Sequence, residues 1–175
     1  MLRKSLTRWL TILAVALGLA AGNASAADYV IPGTIGTSPV VVPMNHGVGS
    51  FLDNIQFTLG PLGTIGGSAT PVNLAIGTFN VLNLSFSSGT IYAGAIGGGG
   101  SAVGSFAFGP GGVLTFSGAL TPLSTYFAQL TGTASGAYGG GYAFTIAAIP
   151  EPGQWLMLLA GVALLGLIVR RRAAA

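Results

Sequence analysis

The sequence predicts an all-β domain, a single β-sandwich of jelly-roll-like form, set between an N-terminal signal peptide and a short C-terminal transmembrane helix. Three observations lead there. Several stretches alternate apolar and polar side chains with period two, glycine-rich turn signals separate them, and no stretch between Asp28 and Ile149 has a convincing helical period. An apolar run also stands at each end of the chain, flanked by basic residues. The resulting organisation is a signal peptide over 1–26, a β-rich passenger over 27–148 and a C-terminal segment over 149–175.

Arg3, Lys4 and Arg8 form a basic n-region, and Leu10 to Ala21 is an apolar h-region too short for a comfortable membrane span. Ala24-Ser25-Ala26 is a small-x-small site for signal peptidase, with cutting after Ala26 or Ala27 equally compatible with the residues. Arg3-Lys4 is a poor twin-arginine match, which favours the general secretory translocon.

Asp28 to His46, with Pro32, Pro39, Pro43 and the run Val40-Val41-Val42, reads as an extended lead-in with one short strand. Phe51 to Leu59 is the clearest strand, placing Ile55, Phe57 and Leu59 on one face and Asn54, Gln56 and Thr58 on the other. Leu82 to Ser87, Leu114 to Ser117 and Tyr142 to Ala147 alternate in the same way. Gly60-Pro61, Gly66-Gly67, Ser88-Gly89, Gly97 to Gly100, Gly109 to Gly112 and Gly139 to Gly141 are the turn signals. Gly and Pro make up about a quarter of this region, near the low-complexity range. All nine Phe and all five Tyr lie in it, however, and disordered chains are poor in aromatics.

The formal charge of +3 belongs to the ends. All six Lys and Arg are Arg3, Lys4, Arg8, Arg170, Arg171 and Arg172. A passenger without Lys or Arg cannot neutralise phosphates, which excludes nucleic acid as a partner. There is no Cys, hence no disulfide and no thiol chemistry.

The chain closes with Pro150-Glu151-Pro152, an uncharged apolar run from Trp155 to Val169, and Arg170, Arg171 and Arg172. As a helix the run spans about 22 Å at ~1.5 Å per residue, a short crossing of a bilayer core about 30 Å thick. Basic residues stay inside, so both ends face the cytoplasm and the passenger lies outside.

This ordered tail resembles the PEP-CTERM sorting signal of Gram-negative bacteria. The resemblance implies export, transient anchoring in the inner membrane, recognition by a membrane-embedded exosortase that cuts at or near Pro150-Glu151-Pro152, and delivery to the cell surface or the exopolysaccharide layer. Phe51-Leu52-Asp53-Asn54-Ile55-Gln56-Phe57 also resembles the Phe-x-Asp-x-Phe (FxDxF) signature of one group of these proteins, with Ile55 where the pattern has Phe. Gly132-Thr133-Ala134-Ser135-Gly136, followed by Tyr142 and a last strand running into Pro-Glu-Pro, is similar to that group too. The group implies no enzymatic activity.

Asp53 shares parity with Phe51, Ile55 and Phe57, so its carboxylate faces the core and needs partners. With no Lys or Arg available, it is expected to accept backbone N–H bonds at a turn. As a metal ligand it would serve calcium with Asn54 or backbone carbonyls, a thin supply for a cation that takes several oxygens. His46 is the single histidine. A Ser-His-Asp set with Asp53 exists on paper only, without a Gly-x-Ser-x-Gly elbow. No catalytic residue and no cofactor is therefore expected.

The reading at this level is an exported, non-catalytic surface or matrix protein in contact with exopolysaccharide or with further copies of itself. Its polar faces carry Ser, Thr, Asn and Gln, and no lysine guards the strand edges against pairing between copies. The alternatives are a permanently tail-anchored periplasmic protein and a secreted carbohydrate- or calcium-binding module.

Overall fold

The computed structural model describes residues 25–150 and 157–165. They form an all-β body and one short helix, α1 (157–165). The strands are β1 (Ser25–Ile35), β2 (Val40–His46), β3 (Gly49–Leu59), β4 (Thr64–Val72), β5 (Leu74–Ile76), β6 (Phe79–Leu82), β7 (Leu84–Ala93), β8 (Ala102–Ser105), β9 (Ala107–Phe108), β10 (Leu114–Ala119), β11 (Thr125–Ala134) and β12 (Gly140–Ala148).

Two five-stranded sheets, ordered β1-β3-β11-β7-β8 and β2-β12-β4-β10-β9, carry the architecture, and β5 and β6 form a separate hairpin. From β1 to β4 the chain alternates between the sheets, so β1 and β3 become parallel neighbours although they are close in sequence. The long pairings β3–β11, β7–β11 and β4–β12 are antiparallel.

The apolar faces meet in one sandwich-like core. Phe51, Ile55, Phe57 and Leu59 of β3 belong to the same buried cluster as Ile65 of β4 and Tyr142, Phe144 and Ile146 of β12. Aromatic rings bridge the two sheets: Phe51 stacks on Tyr142 at 5.9 Å between centroids, and Phe86 meets Tyr142 edge-on at 5.1 Å. Truncating any of the fully buried aliphatic side chains here would cost about 2–5 kcal/mol.

The alternation of β3, β10 and β12 agrees with the sequence reading. Other expectations need correction. Asp28 to His46 holds two long strands, and β1 begins at Ser25. Gly66-Gly67 lies inside β4 instead of turning the chain, because both residues pair with β10 on one side and β12 on the other, and a side chain at Gly66 would meet Ile149 Cδ1 at 2.9 Å. Leu82 to Ser87 is broken at Asn83, whose backbone N–H and C=O bond to Gly139 and Ser135. Of the expected helix over 155–169, residues 157–165 are helical and the rest lies outside the described residues. Among the described residues no helix is long and apolar enough to cross a membrane.

Candidate functional site

Two places in this fold combine position with chemistry: a buried polar cluster at one end of the sheets, and the exit of the chain at the other.

The cluster is built from β2, β3 and β12. His46 ends β2, Asp53 lies in the middle of β3 and Tyr142 lies near the start of β12. His46 donates from Nε2 to Asp53 Oδ2 at 2.8 Å, and the Tyr142 hydroxyl donates to the same oxygen at 2.6 Å. Asp53 has no exposed surface, and His46 and Tyr142 are nearly as buried. The imidazole stacks on Phe51, with centroids 4.4 Å apart and planes 10° off parallel. Gly132 makes room for that stack, since a Cβ there would come within 2.6 Å of Phe51 Cζ. Gly139, at φ +84°, holds the β11–β12 turn tightly over the His46 carbonyl, a conformation and a spacing that only glycine accommodates.

The electrostatics follow from burial. Loss of solvent pushes the Asp53 carboxyl up, while the Tyr142 hydrogen bond and the His46 charge and hydrogen bond pull it down without prevailing. Burial, with the hydrogen bond to Asp53 added, holds the Tyr142 phenol far above its usual range. Asp53 Oδ1 and His46 Nδ1 have no hydrogen-bond partner.

Asp53 thus has the core-facing parity read from the sequence, but its main partners are side chains in mid-strand, and the backbone amide that favours its charged form, Ala27 N–H, belongs to β1 and not to a turn. In a Ser-His-Asp triad one ring nitrogen holds the carboxylate and the other takes the serine proton. Here the other nitrogen, Nδ1, is buried and bonded to nothing, so the pair has no nucleophile on it. For calcium, Asp53 would need further oxygens; among the described residues no three His, Asp or Glu side chains converge.

The second place is the exit of the tail. β12 is flanked by β2 and β4, and its end is fastened by Ala148 N–H to the Gly36 carbonyl and Ile149 N–H to the Thr64 carbonyl, each at 2.8 Å. Pro150 comes directly after these bonds and is exposed. Glu151, Pro152, Arg170, Arg171, Arg172 and Ala24 lie outside the described residues, whereas Ala26 is exposed in β1.

The sequence left two members of the cluster unconnected. His46 and Tyr142 lie in one sheet and Asp53 in the other. The available signal was a core-facing carboxylate in a domain with a single imidazole.

A search of curated proteins finds no match. Among solved structures, the pre-peptidase C-terminal domain of collagenase from Bacillus anthracis aligns with 71% of this chain and 95% of its own, at 9% identity and TM-score 0.39. PliG of Aeromonas hydrophila, a periplasmic inhibitor of g-type lysozyme, aligns over 71% and 97% at 17% identity and TM-score 0.37. The tail gives the informative match. Residues 148–172 fit the model of the PEP-CTERM protein-sorting motif, which implies an exported chain with an exosortase as its processing partner.

Proposed function

We propose that this chain is an exported, non-catalytic protein of the cell surface or exopolysaccharide matrix. A signal peptide over 1–26 is removed, a helix over 155–169 holds the precursor in the inner membrane, and an exosortase then releases it near Pro150-Glu151-Pro152. The passenger is a jelly-roll-like β-sandwich of the FxDxF group. The observation that carries this is the sorting motif beginning on the last residue of β12. A cut beyond Pro150 leaves every described hydrogen bond of the sheets in place.

The exposed chemistry is in keeping with a matrix role. On the outer face of β3, β7 and β11, Asn54 bonds to Asp28 and Gln129, and Thr131 bonds to Ser87 and Ser88. Such hydroxyl and amide groups suit glycan neighbours. Contact between copies would use the longer sheet edges, β1 and β2, each of which carries a proline, Pro32 and Pro43.

Intact-mass analysis of the protein from native cells with an active exosortase tests the reading. The expected mass lacks residues before about Ala27 and beyond about Pro152. Retention of Trp155 to Arg172 would instead identify a permanent tail anchor.

A further inference from the structure

We propose that the amine released at Ala27 by removal of the leader docks on Oδ1 of Asp53 and joins His46 as its counter-ion in a passenger without Lys or Arg. Three observations converge. Oδ2 of this fully buried carboxylate already receives His46 and Tyr142, while Oδ1 receives nothing. β1 runs beside β3 in a register that sets Ala27 against Asp53. No Lys or Arg exists between Asp28 and Ile149. In the unprocessed chain the Ala27 N–H already faces the carboxylate and favours its charged form, last in order among its favourable contacts, without reaching hydrogen-bond geometry at Oδ1.

Hydrolysis of the Ala26–Ala27 amide consumes one water, leaving a carboxylate on the leader and an ammonium on the passenger. One planar N–H becomes three donors that rotate about the N–Cα bond, and a unit positive charge appears. A charge-assisted bond to a buried carboxylate is among the stronger polar contacts a fold can make. Of the two bonds that the small-residue site allows, only Ala26–Ala27 puts the new amine opposite Asp53. Ser25 and Ala26, which would be lost, are exposed. The titratable groups around the amine are Asp53 of β3, His46 of β2, Tyr142 of β12 and the adjoining Asp28, which bonds to Asn54.

The inference rests on the export reading, and one experiment separates the two. Lys4 is the single lysine and leaves with the leader, so the processed chain has one primary amine. The full-length gene is expressed in its host, the processed protein is purified, and its N-terminus is read by intact mass. Acylation by an N-hydroxysuccinimide acetate is then monitored against pH, folded and in concentrated urea. We expect a chain starting at Ala27 whose amine reacts at least tenfold slower folded than unfolded at neutral pH. Its reaction midpoint should lie above the ordinary α-amino range of about 7.7–8.0, returning to that range in Asp53→Asn. Burial alone would move the midpoint down, so the sign separates pairing from shielding. A start at Ala27 with an ordinary or lowered midpoint overturns the inference, as does a start at Asp28; retention of the leader overturns the export reading as well. If Asp53→Asn does not fold, the wild-type midpoint in the folded and unfolded states decides.

Discussion

At the end of the sheets from which the tail leaves, closure is made largely by main chain. Gly60 N–H reaches Ile35, Leu120 N–H reaches Gly63, and Ala148 and Ile149 close on Gly36 and Thr64; the one phenol involved, Tyr126, bonds to the backbone of Thr121. At the opposite end main chain also closes the turns, with Asn83 bonded to Gly139 and Ser135 and Tyr138 N–H reaching Val81, but there they cover three buried polar side chains, His46, Asp53 and Tyr142, packed among Phe51 and Phe86. The first kind of closure rests on main-chain bonds that run as far as Ile149 among the described residues. The second is a set of mutual obligations, in which each polar group is satisfied only while the others stay.

The sharpest way to break this contrast is Asp53→Ala. It leaves His46 Nε2 and the Tyr142 hydroxyl buried without partners and opens a void between the sheets, so we expect a loss of about 2–5 kcal/mol in urea unfolding. Gly132→Ala comes next. The new methyl would press on Phe51 and on the Ser85 carbonyl, and overpacking of this kind costs about 1–3 kcal/mol, read as a lower urea midpoint with unchanged slope.

A smaller effect is expected with pH. In the full-length chain the raised Asp53 carboxyl keeps a proton that the unfolded chain has released. Its contribution is therefore full below the unfolded value of about 3.9 and is lost as pH rises through the higher folded value. The precursor's urea midpoint should fall as pH is raised from about 4 towards neutrality, and Asp53→Asn should flatten that slope. The smallest effect belongs to the tail end. Ending the chain after Pro150 should change passenger stability by no more than about 0.5 kcal/mol, checked by unfolding matched full-length and shortened proteins in the same detergent.

How much of this was legible depends on local chemistry. β3, β10 and β12 alternate cleanly because each has one buried and one wetter face. β11 hides its period. Tyr126, Phe127 and Ala128 are buried in succession, since Phe127 is covered on the outer face by Tyr92, stacked at 5.0 Å. β4 hides behind Gly66-Gly67, which signals a turn in isolation but in the fold admits Ile149 and the Thr145 carbonyl. β1 buries only Ile31 and Ile35 fully, too few to mark a strand. Parity alone showed that Asp53 faces inward. The identity of its partners was a long-range fact, set by two sheets closing on each other.

The parallel pairing of β1 with β3 sets where the chain is held. β1 starts at the His46 end, and β12 finishes at the other. The eleven residues of β3 span about 35 Å between these ends. A leader and a tail joined to this body leave it from opposite ends of its strands, so in the processing we propose, removal of the leader would free the His46 end while the segment after Pro150 stays at the other.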